Sequence, residues 1–204
     1  MSKKKDDDKI KLKIYALGNG TVGKTSFIVR FCDNEFYENT AETTGIDFYT
    51  KVIKLSNGKK CSVNFYDTAG QERYKSISLN MFKNIDGILL MYDVTNIKTF
   101  EAIPQWMKDI KEGRGLDFPI ILVGNKIDLT DKRVVKTEEG KNIAKEYGLD
   151  FYEVSNKDGT NINKVAMVLI NSIVEIKEKA KEETKNIVVL NNNNSDNSKD
   201  KCNC

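Results

Sequence analysis

The chain has 204 residues, 39% apolar and 31% charged, enough for one sizeable core and too polar for a membrane protein. It contains no histidine, which excludes Ser-His-Asp and Cys-His catalysis, histidine-bound zinc and imidazole pH switches. Lysine plus arginine against aspartate plus glutamate is 33 to 30, a near balance that gives no reason to expect nucleic-acid binding.

Residues 1–9 hold four lysines and three aspartates and read as a solvated, flexible N-terminal arm. No apolar stretch follows Met1, so no signal peptide is expected. From Ile10 to Ala16, apolar residues alternate with Lys11, Lys13 and Tyr15, the period of a strand. Gly18 to Gly23 is a glycine-bearing loop, and Thr25 to Phe31 begins a helix. Phe48 to Leu55 and Cys61 to Tyr66 are β-rich runs joined by the hairpin signal Ser56-Asn57-Gly58. Gly87 to Val94 reads as a buried strand, Phe100 to Glu112 as a helix, and Ile120 to Val123 as a short strand. Glu138 to Tyr147 reads as a helix and Phe151 to Val154 as a last strand. Ile162, Val165, Leu169, Ile173, Ile176 and Ala180 form the core stripe of a long closing helix. Strands alternating with helices predict an α/β domain with a mostly parallel sheet, and the hairpin adds one antiparallel edge strand. From 182 to 204 an asparagine-rich segment with no aromatic residue reads as a disordered tail, interrupted by the apolar patch Ile187 to Leu190.

Cysteines occur at 32, 61, 202 and 204, without the paired spacing of a disulfide framework. The longest clean apolar runs, such as Ile88 to Tyr92, fall far short of the ~20 residues that span a bilayer. A reducing, cytosol-facing compartment is the expectation.

Three loops carry the chemistry. Gly18-Asn19-Gly20-Thr21-Val22-Gly23-Lys24-Thr25 fits G-x-x-x-x-G-K-[ST] between a predicted strand and a predicted helix. In such a loop, backbone N–H groups and the helix N-terminus surround phosphate oxygens. Lys24 would reach the β- and γ-phosphates, and the Thr25 hydroxyl would bind Mg²⁺. Asp67-Thr68-Ala69-Gly70-Gln71-Glu72 follows the second hairpin strand. Asp67 can hold Mg²⁺ from the side opposite Thr25, Gly70 lets backbone approach a γ-phosphate, and Gln71 can orient an attacking water.

Asn125-Lys126-Ile127-Asp128 follows the third apolar strand after the phosphate loop. A carboxylate at Asp128 accepts from the N1–H and 2-amino group of guanine. Adenine offers an acceptor at N1 and nothing at C2, so it would leave that carboxylate unpaired. Asn125 would tie this loop to the phosphate loop, and the Lys126 stem would cover the base.

Together with Ser155-Asn156-Lys157, these motifs resemble in order and spacing the Ras superfamily of small GTPases, over residues 10–181. Within it the chain is most similar to Rabs, through Thr43-Thr44-Gly45-Ile46-Asp47-Phe48, Asp67 to Tyr74, and Met91 to Thr95. The resemblance implies a single P-loop GTPase domain, with a six-stranded sheet and helices on both faces. It implies that Thr43 joins Thr25 and Asp67 on Mg²⁺ and senses the γ-phosphate. It also implies that Phe36 packs against guanine, that Ser26 lines the nucleotide, and that Ser155, Asn156 and Lys157 contact the O6 side of the base. Gly20 is the small residue that hydrolysis requires in the family. Gln71, Lys24 and Gly70 are the expected catalytic set.

Departures from the Rab pattern are Thr44, Tyr66, Met81, Thr40 and Asn156, the last replacing alanine. The implied activity is hydrolysis of GTP to GDP and phosphate. It is slow alone, on the order of 10⁻⁴ per second, and faster when an activating protein inserts an arginine. Effectors would bind the GTP state at the two switch segments and control vesicle traffic. An exchange factor, a GTPase-activating protein and a GDP-dissociation inhibitor would complete the cycle. Cys202-Asn203-Cys204 is similar to the Rab signal for two geranylgeranyl groups, added with an escort protein and a transferase. The domain would then cycle between the cytosol and the cytoplasmic face of an intracellular or plasma membrane. Two other readings stay open on the residues alone: a GTP-binding scaffold with negligible hydrolysis, and a P-loop ATPase, which Asp128 disfavours.

Overall fold

The computed structural model describes residues 10–38, 43, 45–55, 57–68 and 84–196. Its elements run β1 (Ile10–Leu17), α1 (Lys24–Asp33), β2 (Ile46–Lys54), β3 (Lys60–Thr68), β4 (Gly87–Asp93), α2 (Ile97–Glu101), α3 (Ile103–Arg114), β5 (Ile120–Asn125), α4 (Thr137–Tyr147), β6 (Asp150–Val154) and α5 (Ile162–Asp196). The six strands lie in the order β2-β3-β1-β4-β5-β6. Only β2 runs antiparallel, pairing Ile46 with Thr68 through Lys54 with Lys60.

Alternation along the strands sends side chains to two cores. Leu12, Ile14 and Ala16 of β1 join Phe27, Phe31, Val165, Leu169 and Ile173 under α1 and α5. Tyr15 and Leu17 join Leu90, Tyr92, Ile103, Met107, Ile110 and Ala144 under α3 and α4. With helices on both faces, β4 and β5 are buried at every position, which is why they read as unbroken apolar runs.

The predicted helix at 100–112 is two helices. Pro104 sits at the start of α3 and has no N–H to continue the ladder from α2, so the chain breaks at Ala102. The tail boundary also differs from the sequence reading. Helix α5 continues past 182 to Asp196, through the apolar patch 187–190. No glycine or proline follows Gly159 to stop it. The N-terminal arm and residues 197–204 lie outside the described residues.

The phosphate-loop, acidic and base-reading segments all leave the carboxyl ends of parallel strands β1, β3, β5 and β6. The chain proceeds from β1 to β3 on one side of the sheet and then to β4, β5 and β6 on the other. This is the topological switch point at which open α/β sheets bind ligands.

Candidate functional site

The phosphate loop is held in a conformation few residues adopt. Gly18 has φ +134, and a Cβ there would lie 2.1 Å from the Met91 carbonyl oxygen. Gly23 has φ +96, and its Cβ would fall 2.4 Å from Asn125 Nδ2 and 2.7 Å from Asn156 Nδ2. Thr21 is β-branched yet has φ 61, a strained position of a kind that clusters at ligand sites. No side chain caps α1, so its N-terminal turn is open to an anion. Lys24 is buried, and its ammonium donates to the carbonyls of Gly18 (2.9 Å) and Asn19 (2.8 Å) across the loop.

Beside it, three oxygens from distant segments converge. Thr25 Oγ1 donates to Asp67 Oδ2 at 2.5 Å, and Thr43 Oγ1 donates to the same oxygen at 3.3 Å. The two hydroxyl oxygens are 3.0 Å apart. Asp67 is fully buried and its Oδ1 has no hydrogen-bond partner among the described residues. Burial holds its carboxyl above the ordinary range, opposed by the Thr25 hydrogen bond, the Lys24 charge and Thr43. Two hydroxyls and a carboxylate with a spare buried oxygen suit a hard divalent cation that completes its shell with substrate phosphates and water, as Mg²⁺ does. Gly70 and Gln71 lie outside the described residues, as do Thr40, Thr44, Met81, Cys202 and Cys204.

The base-reading segments join the phosphate loop directly. Asn125 Nδ2 donates to the Val22 carbonyl at 2.8 Å, and Asn125 Oδ1 accepts from the Asn156 N–H at 3.3 Å. Ser155 is fully buried and donates to Asp128 Oδ1 at 2.7 Å, which orients that carboxylate. Asn156 Nδ2 donates to the Gly23 carbonyl at 2.8 Å. Lys126 takes φ 71, and its ammonium pairs with Asp93 at 2.7 Å. Lys157 pairs with Glu38 at 3.3 Å on the surface. Ser26, in the first turn of α1, sits between these two groups of contacts in the chain.

Three positioning residues escaped the sequence reading. Arg30 donates to the Asn156 carbonyl at 2.9 Å and to the Lys157 carbonyl, and its guanidinium lies 5.8 Å from the Phe36 ring centroid. It thereby links Phe36 to the base-reading loop. Asp93 closes the buried strand β4 in register with Asn125, and a charge at the end of an apolar strand was the available signal. Trp106 on α3 donates its indole N–H to Asn19 Oδ1 at 2.8 Å, a contact across 87 positions that no local pattern could reveal.

The glycine-bearing loop, the Thr25–Thr43–Asp67 cluster and the Asn125–Asp128 and Ser155–Lys157 segments thus meet at the carboxyl edge of the sheet. The model of the Ras family matches residues 13–197, and the chain belongs to that family. Among curated relatives, Ras-related protein Rab-10 of Diplobatis ommata is 40% identical over 86% of this chain and 86% of its own. Ras-related protein Rab-3A of Homo sapiens is 40% identical over 80% of this chain and 74% of its own. Rab-3C of Bos taurus is 39% identical over 80% and 71%. The chain is therefore a Rab-type small GTPase, a GTP hydrolase of vesicle trafficking. Among the described residues, no helix is long and apolar enough to cross a membrane.

Proposed function

We propose that this GTPase works as a lipid-anchored switch, with the residues above in the following roles. The loop Gly18–Thr25, with Ser26, holds the phosphates, and Lys24 turns its ammonium toward their charge. Asp128, held by Ser155, reads the guanine edge, while Asn125, Asn156, Lys157, the Lys126 stem and Phe36 enclose the base. Thr25, Thr43 and Asp67 hold Mg²⁺, which when bound neutralises phosphate charge. Gln71 orients the attacking water, and Gly70 lets the backbone meet the γ-phosphate. Thr43 and Gly70 flank the nucleotide on two segments, so losing the γ-phosphate would release both and withdraw the surface effectors read.

The observation that carries this reading is the meeting of Thr25, Thr43 and Asp67 from three separate segments, the two hydroxyls on Asp67 Oδ2 while the buried Oδ1 has no hydrogen-bond partner among the described residues. Thr25→Asn tests it. In the parent protein Mg²⁺ should slow GDP release strongly compared with chelated buffer, and in the variant that difference should collapse. An undiminished Mg²⁺ effect in the variant would remove Thr25 from the metal site.

An exchange factor, an activating protein, effectors and a GDP-dissociation inhibitor are the proposed partners. An escort protein and a geranylgeranyl transferase would modify Cys202 and Cys204. Two lipids give stable anchoring where one gives marginal binding. Changing both cysteines to serine should make a membrane-bound tagged protein diffuse in its native cell, and unchanged membrane association would refute the anchor.

A further inference from the structure

We infer that Asn156 is a positioning residue that latches the base-reading loop onto the phosphate loop and slows release of bound guanine nucleotide. The inference rests on the reading above that these two loops hold the two ends of one nucleotide.

Asn156 is almost fully buried at the seam between the loops. Its backbone N–H donates to Asn125 Oδ1, and its carbonyl accepts from Arg30 Nε at 2.9 Å. Those two bonds use only the backbone, so any residue at this position could make them. The side chain adds what alanine cannot. Its Nδ2 donates at 2.8 Å to the Gly23 carbonyl. That carbonyl already accepts the first helical bond of α1, from the Phe27 N–H at 2.9 Å. Asn156 therefore takes the second lone pair of the oxygen at which the phosphate loop becomes a helix.

The fit is close. Asn125 Nδ2 and Asn156 Nδ2 lie 2.4 and 2.7 Å from where a Cβ of Gly23 would be, so both amides crowd against that glycine. Asn125 ties Val22 and Asn156 ties Gly23, making two adjacent tethers from the ends of β5 and β6 to the phosphate loop. Meanwhile Asn156 Oδ1 is buried without a hydrogen-bond partner among the described residues. Filling space alone gives no reason to carry an unsatisfied buried acceptor, since a methyl group would fill part of the same space without that cost.

A nucleotide gripped at its base and its phosphates leaves when one grip opens relative to the other. A bond across the seam is made in the closed state and lost in the open one, so it raises the barrier to release. It does little to the encounter of nucleotide with open protein.

Release of a fluorescent GDP analogue, chased with excess GDP in Mg²⁺, measures this for the parent, Asn156→Ala and Asn156→Asp. Losing one neutral hydrogen bond should speed release about three- to tenfold in Asn156→Ala, with association within about twofold. Asn156→Asp cannot donate and sets a carboxylate against the Gly23 carbonyl, so it should release faster still. Unchanged release in Asn156→Ala overturns the latch. So does acceleration matched by equal slowing of association and a fallen melting temperature, which marks a packing role. If Asn156→Asp does not fold, the alanine variant decides alone. A parent protein that binds GDP no better than ADP would instead overturn the reading of the base site, so the two failures are distinct.

Discussion

Replacing Asp128 by asparagine should turn the base site away from guanine and toward xanthine. Ser155 makes the outcome predictable. Its hydroxyl accepts from the Asp158 N–H at 3.2 Å and donates to Asp128 Oδ1 at 2.7 Å. In the variant that donated proton selects the amide oxygen, which leaves the amide NH₂ where the second carboxylate oxygen had been. Guanine then brings its 2-amino donor against another donor and loses both hydrogen bonds to an ionised acceptor. At ~1.5–3 kcal/mol for each bond to a charged group, the loss is ~3–6 kcal/mol, or about 10²- to 10⁴-fold in affinity. Xanthine carries a carbonyl oxygen in place of that amino group and accepts from the new NH₂. Competition of GDP and XDP against a fluorescent nucleotide, with parent and variant side by side, reads the change. A variant that keeps GDP within tenfold of the parent and gains no preference for XDP would show that Asp128 does not read the base.

Three further outcomes follow from named residues. Tyr92 is fully buried on β4, its hydroxyl has no hydrogen-bond partner among the described residues, and burial holds its pKa well above the ordinary phenol value. Tyr92→Phe removes that unpaired oxygen and keeps the ring, so it should be neutral or stabilising by up to ~1 kcal/mol, or ~2–4 °C in melting temperature; a clear loss of stability would reveal a partner for the hydroxyl. Burial, helped by the charge of Asp33 and opposed by Lys51, pushes the Cys32 thiol up to about 11 from an ordinary 9.0. Its alkylation at pH 8, followed by mass spectrometry, should run about a hundredfold slower than that of an ordinary thiol and keep rising toward pH 11, and a plateau by pH 9 would contradict this. Gln71→Leu should lower GTP hydrolysis stimulated by an activating protein by orders of magnitude, and unchanged single-turnover hydrolysis with that protein would remove Gln71 from the water-orienting role.

Most of the residues proposed to meet ligand are visible in the sequence because they sit in short motifs whose spacing is set by one turn of backbone. Gly18 to Thr25 needs only a strand, a loop and a helix in succession. The antiparallel edge strand was legible for a similar reason, since Ser56-Asn57-Gly58 joins two β-rich runs locally. Two boundaries were misread. The helix after β4 is split at Ala102 because Pro104, inside an otherwise helical pattern, removes a ladder donor. The last helix outruns its apolar stripe, since periodicity reports which residues meet the core and not where helical backbone ends. Arg30 and Trp106 carry no local signal as site residues, and Asp93 carries only its charge at the end of an apolar strand. Arg30 reaches its partners across 126 and 127 positions, and only the folded sheet shows that α1 passes beside the loop after β6.

Those long-range bonds share a physical purpose. The phosphate loop carries Thr21 in a left-handed conformation, which costs ~1–3 kcal/mol. It also leads into a helix with no side-chain cap. A cap would satisfy the amide groups that an anion has to meet, so the loop cannot be stabilised from its own N-terminal side without blunting its use. Stabilisation has to come through the loop's carbonyls, which an anion does not use. The structure shows that pattern: Lys24 holds the Gly18 and Asn19 carbonyls, Asn125 holds Val22, and Asn156 holds Gly23. Trp106 holds the Asn19 side chain from α3. Side chains thus take the carbonyls of this loop, while the first turn of α1 receives no side-chain cap. If Asn125 and Asn156 belong to loops that read the base, as proposed, the same bonds would make phosphate affinity depend on the position of those loops. A partner that levers either loop away from the other would thus weaken both grips at once.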